Sequence, residues 1–224
     1  YKEHYKIVLP YLLKKKLKAF FFIPSKPILE NKVLDVNKIQ FILSTNSNHQ
    51  ILLNEIIEIL NKLDVKKKFP NVNKLKKNRY DSYNTILIKN LLQRDLKKNI
   101  RNKIVEKLFK KYVTTDEADF SSSLYMNFRE INDLRNEGMI IGNHTHNHDW
   151  LDTLNYNDQI IEINNGLKFL RSLNVDISNW VMGYPYGSYN NNTLKILKKL
   201  NCKAAFTTIP SSIKTIKNLS LIHI

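Results

Sequence analysis

Cysteine is almost missing from this chain: Cys202 is the only one in 224 residues. A disulfide within the chain is therefore impossible and a thiolate-rich zinc site is excluded, so any metal must be held by histidine and carboxylate. Long apolar runs are missing too. The longest, such as KAFFFIP at 18–24, are strand-sized, well short of the roughly 20 residues that span a bilayer, so no membrane span is expected. No signal peptide is visible. Tyr1 is not an initiator methionine, so the natural start is expected upstream and a leader stays open; without one, the cytoplasm is the favoured setting. Acidic residues are scarce, 20 against 36 lysines and arginines, for a formal charge of +16. Such an excess can serve nucleic acid or an anionic surface. Here the lysines are spread along helices among many Asn and Ile. The densest runs, Lys66–Lys68 and Lys74–Lys77, flank an expected loop. We read them as solvated faces and expect no nucleic-acid partner.

What is present is enough for a core: 42% hydrophobic and 10% aromatic residues in a chain of one-domain length, or one domain carrying an insertion. Tyr5, Val8, Leu9, Leu12 and Leu13 form the apolar stripe of a helix over 2–14. Lys18 to Ile23 reads as a buried strand, after which Pro24 and Pro27 end regular structure. Residues 36–112 show helical spacing only (Ile51, Leu52, Ile56, Ile59, Leu60; Ile86, Ile88, Leu91, Leu92; Ile104, Val105, Leu108, Phe109, Tyr112). We read a mostly helical insertion at about 31–126 within a single domain spanning 1–224. Alternation then resumes. Asn127 and Glu130 have the form of a capping box, and Gly138 is placed to end that helix. Met139-Ile140-Ile141 is a short apolar strand, as in a parallel sheet covered on both faces. A helix over about 155–173, a strand at Trp180-Val181-Met182, a helix near 191–200, a strand at Ala204–Thr208 and an apolar segment at Leu219–Ile224 complete the pattern.

Three of the six histidines fall within five residues: His144, His146 and His148, in IIGNHTHNHDW. Positions i and i+4 share a face in helix and strand alike, so His144 and His148 can converge on one ion; His146 joins only in an extended segment and otherwise is a bystander. A catalytic metal site wants a third protein ligand and an open position. Asp149 and Asp152 are candidates, but they also sit where a following helix wants caps. The bland alternative is a polar loop. A second constellation, Tyr184-Pro185-Tyr186-Gly187, also comes after a strand. A Pro–Gly turn can aim backbone N–H groups into a cavity as an oxyanion site needs, and its tyrosines suit a sugar ring. The alternative is an ordinary strand-to-helix turn.

His144-Thr145-His146-Asn147-His148 fits the His-[Ser/Thr]-x-x-His motif of the polysaccharide deacetylases, the NodB-homology carbohydrate esterases, and Tyr184-Pro185-Tyr186-Gly187 resembles their third motif. YKEHYKIVLPYLLKKKLKAFFFIP resembles the stretch immediately C-terminal to that family's first motif, a Thr-Phe-Asp-Asp-Gly run. The helical insertion resembles a subgroup associated with bacterial surface-polysaccharide synthesis. The resemblance implies an α/β fold, a distorted and incomplete (β/α) barrel. It implies a hydrolase of carbon–nitrogen (non-peptide) bonds that removes N-acetyl groups from an amino sugar or polysaccharide. It implies a divalent ion, zinc above others, on His144 and His148, with Thr145 bracing the loop. The Tyr186 N–H would face the oxyanion, with Tyr184, Pro185, Tyr186 and Gly187 lining the substrate. Three departures accompany it. The Asp-Asp motif, base and third ligand, is absent, so the chain is expected to be cut before Tyr1 and after Ile224 and to be weakly active or inactive. The family's motif-three Arg corresponds to Gly183. Leu221-Ile222-His223 matches the family's Leu-x-His, which makes His223 a candidate general acid, but only 37 positions separate it from Tyr186. The rival expectation is a non-catalytic carbohydrate-binding remnant of the same fold.

Overall fold

A computed structural model of the chain describes residues 1–65 and 81–209, and the backbone of 220–223. The runs Lys66–Lys68 and Lys74–Lys77 lie outside the described residues. Two compact units are present, one made of Tyr1–Leu34 with Glu117–Ile224, the other of Asp35–Asp116.

The first unit is built on five parallel strands: β1 (Phe20–Ile23), β2 (Ile140–Asn143), β3 (Val181–Gly183), β4 (Ala204–Thr207) and β5 (Ser220–His223). Their spatial order is their chain order, β1-β2-β3-β4-β5, and the register runs Phe22↔Gly142, Asn143↔Met182, Gly183↔Phe206 and Thr207↔His223. Each step is taken in the same direction, which is barrel winding and not the reversal of a doubly wound sheet. The fold is thus α/β, an open arc of a (β/α) barrel. Crossovers taken in one direction put the helices that connect the strands on one side. Phe21, Ile141, Met182 and Ala205, alternating toward that side, are buried in the main core with Leu167, Leu170 and Trp180. The other face is only partly covered: Phe20 is 45% and Ile140 43% exposed. The expectation of a sheet buried on both faces therefore holds for one face only.

Local chemistry explains the helices in this unit. His4–Val8 is a π-helical turn that runs into α1 (Leu9–Lys14). Pro27 does not end regular structure; it sits in the first turn of α2 (Lys26–Glu30), where its missing N–H has no partner to lose. The chain then enters the second unit, and α7 (Glu117–Leu124) returns it to the first. α8 (Phe128–Asn136) starts with the capping box: Glu130 N–H donates to Asn127 at 2.9 Å and Asn127 N–H to Glu130 at 2.8 Å. Gly138, at φ +79°, then turns the chain into β2. α9 (Tyr156–Ser172) covers β2, and α10 (Asn191–Lys199) precedes β4.

The second unit is helical throughout its described residues: α3 (Asp35–Thr45), α4 (His49–Lys62), α5 (Tyr83–Asn90) and α6 (Lys98–Tyr112). Ile39, Ile56, Ile88, Ile104 and Leu108 are completely buried. Lys38 is buried as well, at 2% exposure. Its ammonium pairs with Glu106 and lies over the Phe109 ring at 5.4 Å, which is how a charge becomes tolerable there.

Candidate functional site

His144 leaves the C-terminal end of β2, the end at which sheets of this winding place their sites. The loop beyond it is strained. Thr145 and His148 have φ +62° and +60°, and Tyr186, in the turn after β3, has φ +57°. The other non-glycine residues with positive φ (Lys16, Asn31, Asp64, Asn174, Asn201) all lie just past helix ends, where a left-handed residue commonly stops a helix. Strain of this kind in a β-branched Thr, a His and a Tyr, gathered in two adjacent loops, makes these loops the candidate site.

The two outer histidines come together. Their rings meet edge to face, centroids 4.7 Å apart at 75°. His144 Nδ1 lies 2.6 Å from the Gly183 carbonyl oxygen. A carbonyl only accepts, so Nδ1 carries the proton and Nε2 keeps its lone pair. His148 Nδ1 is buried without a hydrogen-bond partner among the described residues. Burial lowers the pKa of both rings; for His148 it acts first and the neighbouring His144 second, down to about 3. Two neutral imidazoles, one oriented by a carbonyl and one with an orphaned nitrogen, are a donor set that fits a borderline-soft divalent ion such as zinc. Among the described residues no third His, Cys, Asp or Glu completes a cluster with them.

The loop is held from several sides. Asn143, fully buried, accepts the Thr145 N–H at 2.8 Å and donates to the Ile163 carbonyl at 2.9 Å. Thr145 Oγ1 accepts the His148 N–H at 3.2 Å. Glu162, on α9, accepts the N–H groups of His146 and Asn147. His146 is no bystander: its ring bridges Ser25 Oγ at 2.9 Å and Glu30 Oε1 at 2.8 Å, clasping the loop to the segment after β1. Asp152 is occupied as well. It accepts the Ser188 hydroxyl at 2.6 Å while its N–H donates to the same oxygen at 3.0 Å, tying this loop to the turn after β3. Asp149 is buried, at 8% exposure.

In that turn the four residues divide. Tyr184 and Pro185 are buried, Tyr184 at 3% with its ring stacked on Tyr189. Tyr186 and Gly187 keep partial exposure. The Tyr186 ring lies flat on Trp150, 4.3 Å away at 8°, and meets His148 edge-on at 4.8 Å. Gly183 has a steric reason to lack a side chain: a Cβ there would stand 2.7 Å from Cγ of Phe22, so the ring of Phe22 fills the space where an arginine would begin. A cavity of about 520 Å³ runs from the histidine pair along β1, walled by Phe20, Phe22, Pro24, Ile28 and Met126. His223 occupies the last position of β5, opposite Thr207; its side chain lies outside the described residues.

With that geometry in place, comparison supplies the lineage. The polysaccharide deacetylase family profile matches residues 1–205. The chain belongs to that family. Two solved deacetylases are similar to it. One is the Streptococcus pyogenes deacetylase PplD in complex with acetate, 25% identical with a TM-score of 0.39, over 55% of this chain and 58% of that one. The other is the deacetylase domain of BpsB from Bordetella bronchiseptica, 11% identical with a TM-score of 0.49, over 100% of this chain and 66% of that one. The chain thus spans less than two thirds of the length of either. No curated protein matches it in sequence.

Sequence reasoning singled out the two histidines, Thr145 and the turn, which the structure brings into one region. It missed Asn143, Ser25, Glu162 and Phe22. The only local sign among these was Asn143 at the strand end, where an Asn side chain readily accepts from the backbone two residues on; the other three approach from distant parts of the sequence.

Proposed function

We propose that the chain is a metal-dependent deacetylase domain that removes N-acetyl groups from an amino sugar or polysaccharide, in surface-polysaccharide metabolism, with His144 and His148 as ligands of a divalent ion, zinc by choice of donors. The observation that carries this is the pair itself: two neutral imidazoles converging beside two strained loops, one fixed by the Gly183 carbonyl so that its Nε2 is available. A divalent ion held there would polarise the acetamide as a Lewis acid. The protein's own residues do the rest of what can be assigned. The Tyr186 N–H is the donor for the developing oxyanion. The Tyr186 ring, fixed against Trp150, and Gly187 border the sugar, while Tyr184 and Pro185 hold the turn from the core. His223 is kept as a candidate proton donor.

The test is a zinc titration of the chelator-stripped chain together with acetate release from N-acetylglucosamine oligomers. His144→Ala and His148→Ala should each cut zinc affinity at least tenfold. His223→Ala should remove one limb of the pH–rate profile and leave zinc binding alone. A wild-type chain that binds sugar but no zinc would replace the reading with a carbohydrate-binding remnant.

A further inference from the structure

We propose that Glu162 is a positioning residue for the histidine pair: its carboxylate holds His146 and Asn147, two of the three residues in the spacer that makes His144 and His148 converge. The proposal rests on reading those two as cation ligands, but the contacts behind it are independent of that reading. Glu162 is 4% exposed and lies beneath the loop on α9. Its Oε2 accepts the His146 N–H at 3.1 Å and the Asn147 N–H at 2.8 Å, and its Oε1 accepts from the Asn147 side-chain amide. Three donors thus point at one small volume. Of the common side chains only a carboxylate offers two oxygens and no hydrogen there. Removing it would take the partner from two half-buried backbone N–H groups, or force the loop to turn over.

The two residues it holds lie between the ligands and are flanked by the strained Thr145 and His148. Such conformations persist only where surrounding contacts over-determine them. α9 supplies three of those contacts from one face. Glu162 takes the spacer, the Ile163 carbonyl takes Asn143, and Gly166, one turn on, is bare because a Cβ would strike Asn143 Oδ1. The carboxylate also sets a negative charge beneath the loop that carries both rings, which favours a cation over its absence.

The experiment uses the full chain after chelator treatment. Two readouts are taken: hydrogen exchange at the amides of His146 and Asn147, and Co(II) titration followed by its visible absorption. In Glu162→Ala, protection at those two amides should fall at least tenfold while β2 and the rest of α9 keep theirs, and the cobalt Kd should rise about 10- to 100-fold, the usual cost of losing an outer-shell partner. Glu162→Gln sets one amide NH₂ against another and should weaken binding comparably. Adding Asn147→Asp reverses the polarity of that contact with shape and total charge unchanged, and should bring Kd back to within about threefold of wild type. A merely structural role predicts no such recovery in affinity. If Glu162→Ala fails to fold, the isosteric Gln and Gln/Asp pair decides the matter. Unchanged protection in Glu162→Ala, or a double variant no better than Glu162→Gln, overturns the proposal. Should wild type take up no cobalt, the functional reading above falls, while exchange at His146 and Asn147 still supports the proposal or sinks it.

Discussion

At the scale of single residues, the site is defined by protons that are held or withheld. His148 is pushed down to about 3 by burial and by His144, against about 6.5 when unfolded. Between those values the unfolded chain binds a proton that the folded chain refuses, so stability falls as pH drops through this window, by at most about 1.4 kcal/mol per pH unit from this one group. Denaturant melts of the chelator-stripped protein from pH 7 to 4 should therefore show wild type losing ground to His148→Gln; parallel curves would mean the ring is not buried as neutral imidazole. A second residue makes the opposite kind of statement. The Tyr184 hydroxyl is buried with no partner among the described residues, and burial raises its pKa. An unmet hydroxyl costs about 1–3 kcal/mol, so Tyr184→Phe should leave the thermal midpoint level or raise it. A loss above about 1 kcal/mol would reveal a partner for that oxygen. The spacing of His144 and His148 drew attention because i and i+4 share a face in any regular backbone, yet their rings meet across an irregular loop with Thr145 and His148 left-handed. Their tautomers were not legible. The Gly183 carbonyl, Ser25 and Glu30 that orient His144 and His146 lie 39, 121 and 116 positions away, and no local pattern encodes such partners.

At the scale of elements, the sequence announced most helices and strands through periodicity and caps. The Asn127–Glu130 box forms as written, and β3 starts at Val181, one residue past the expected Trp180. Pro27 misled because proline signals both a stop and a first turn, and the choice was made by Ser25 and Lys26, whose N–H groups donate to the Thr145 and His146 carbonyls. Gly166 gave no readable reason to be glycine in mid-helix. Alanine would gain roughly 1 kcal/mol of helix propensity there, yet its Cβ meets the Asn143 amide, and forcing a methyl into a packed site costs about 1–3 kcal/mol. Packing should win. Gly166→Ala is expected to be destabilised by roughly 1 kcal/mol in chemical denaturation and to bind zinc more weakly, because Asn143 can no longer hold Thr145 in place; a stabilised variant would show that the amide yields freely.

At the scale of the whole molecule, charge and topology separate. The unit from Asp35 to Asp116 carries 18 of the 36 lysines and arginines but only 8 of the 20 acids. The charge that first suggested a polyanion partner is therefore concentrated outside the unit that bears the histidine pair. Topology was half legible. Alternation implied a parallel sheet, but nothing local said that β1 and β2, whose paired residues Phe20 and Ile140 are 120 positions apart, are neighbours. That pairing depends on where the chain departs and returns. Glu117 Oε1 accepts the Val33 N–H at 2.9 Å, its Oε2 pairs with Lys32 at 3.2 Å, and the Leu34 N–H donates to the Tyr125 hydroxyl at 3.1 Å. The exit and the re-entry are thus stitched together inside the barrel unit itself, and the 82 residues between them hang from a closed seam. A seam of that kind makes the intervening unit a cassette. Joining Leu34 to Glu117 through a few Gly and Ser residues should yield a soluble protein that still melts cooperatively and still binds zinc through His144 and His148, and a product that does neither would show that the cassette is a structural part of its host. If the excision succeeds, lineages could gain, lose or exchange the segment between those two residues while the chemistry stays in place, and variation in length should accumulate there first.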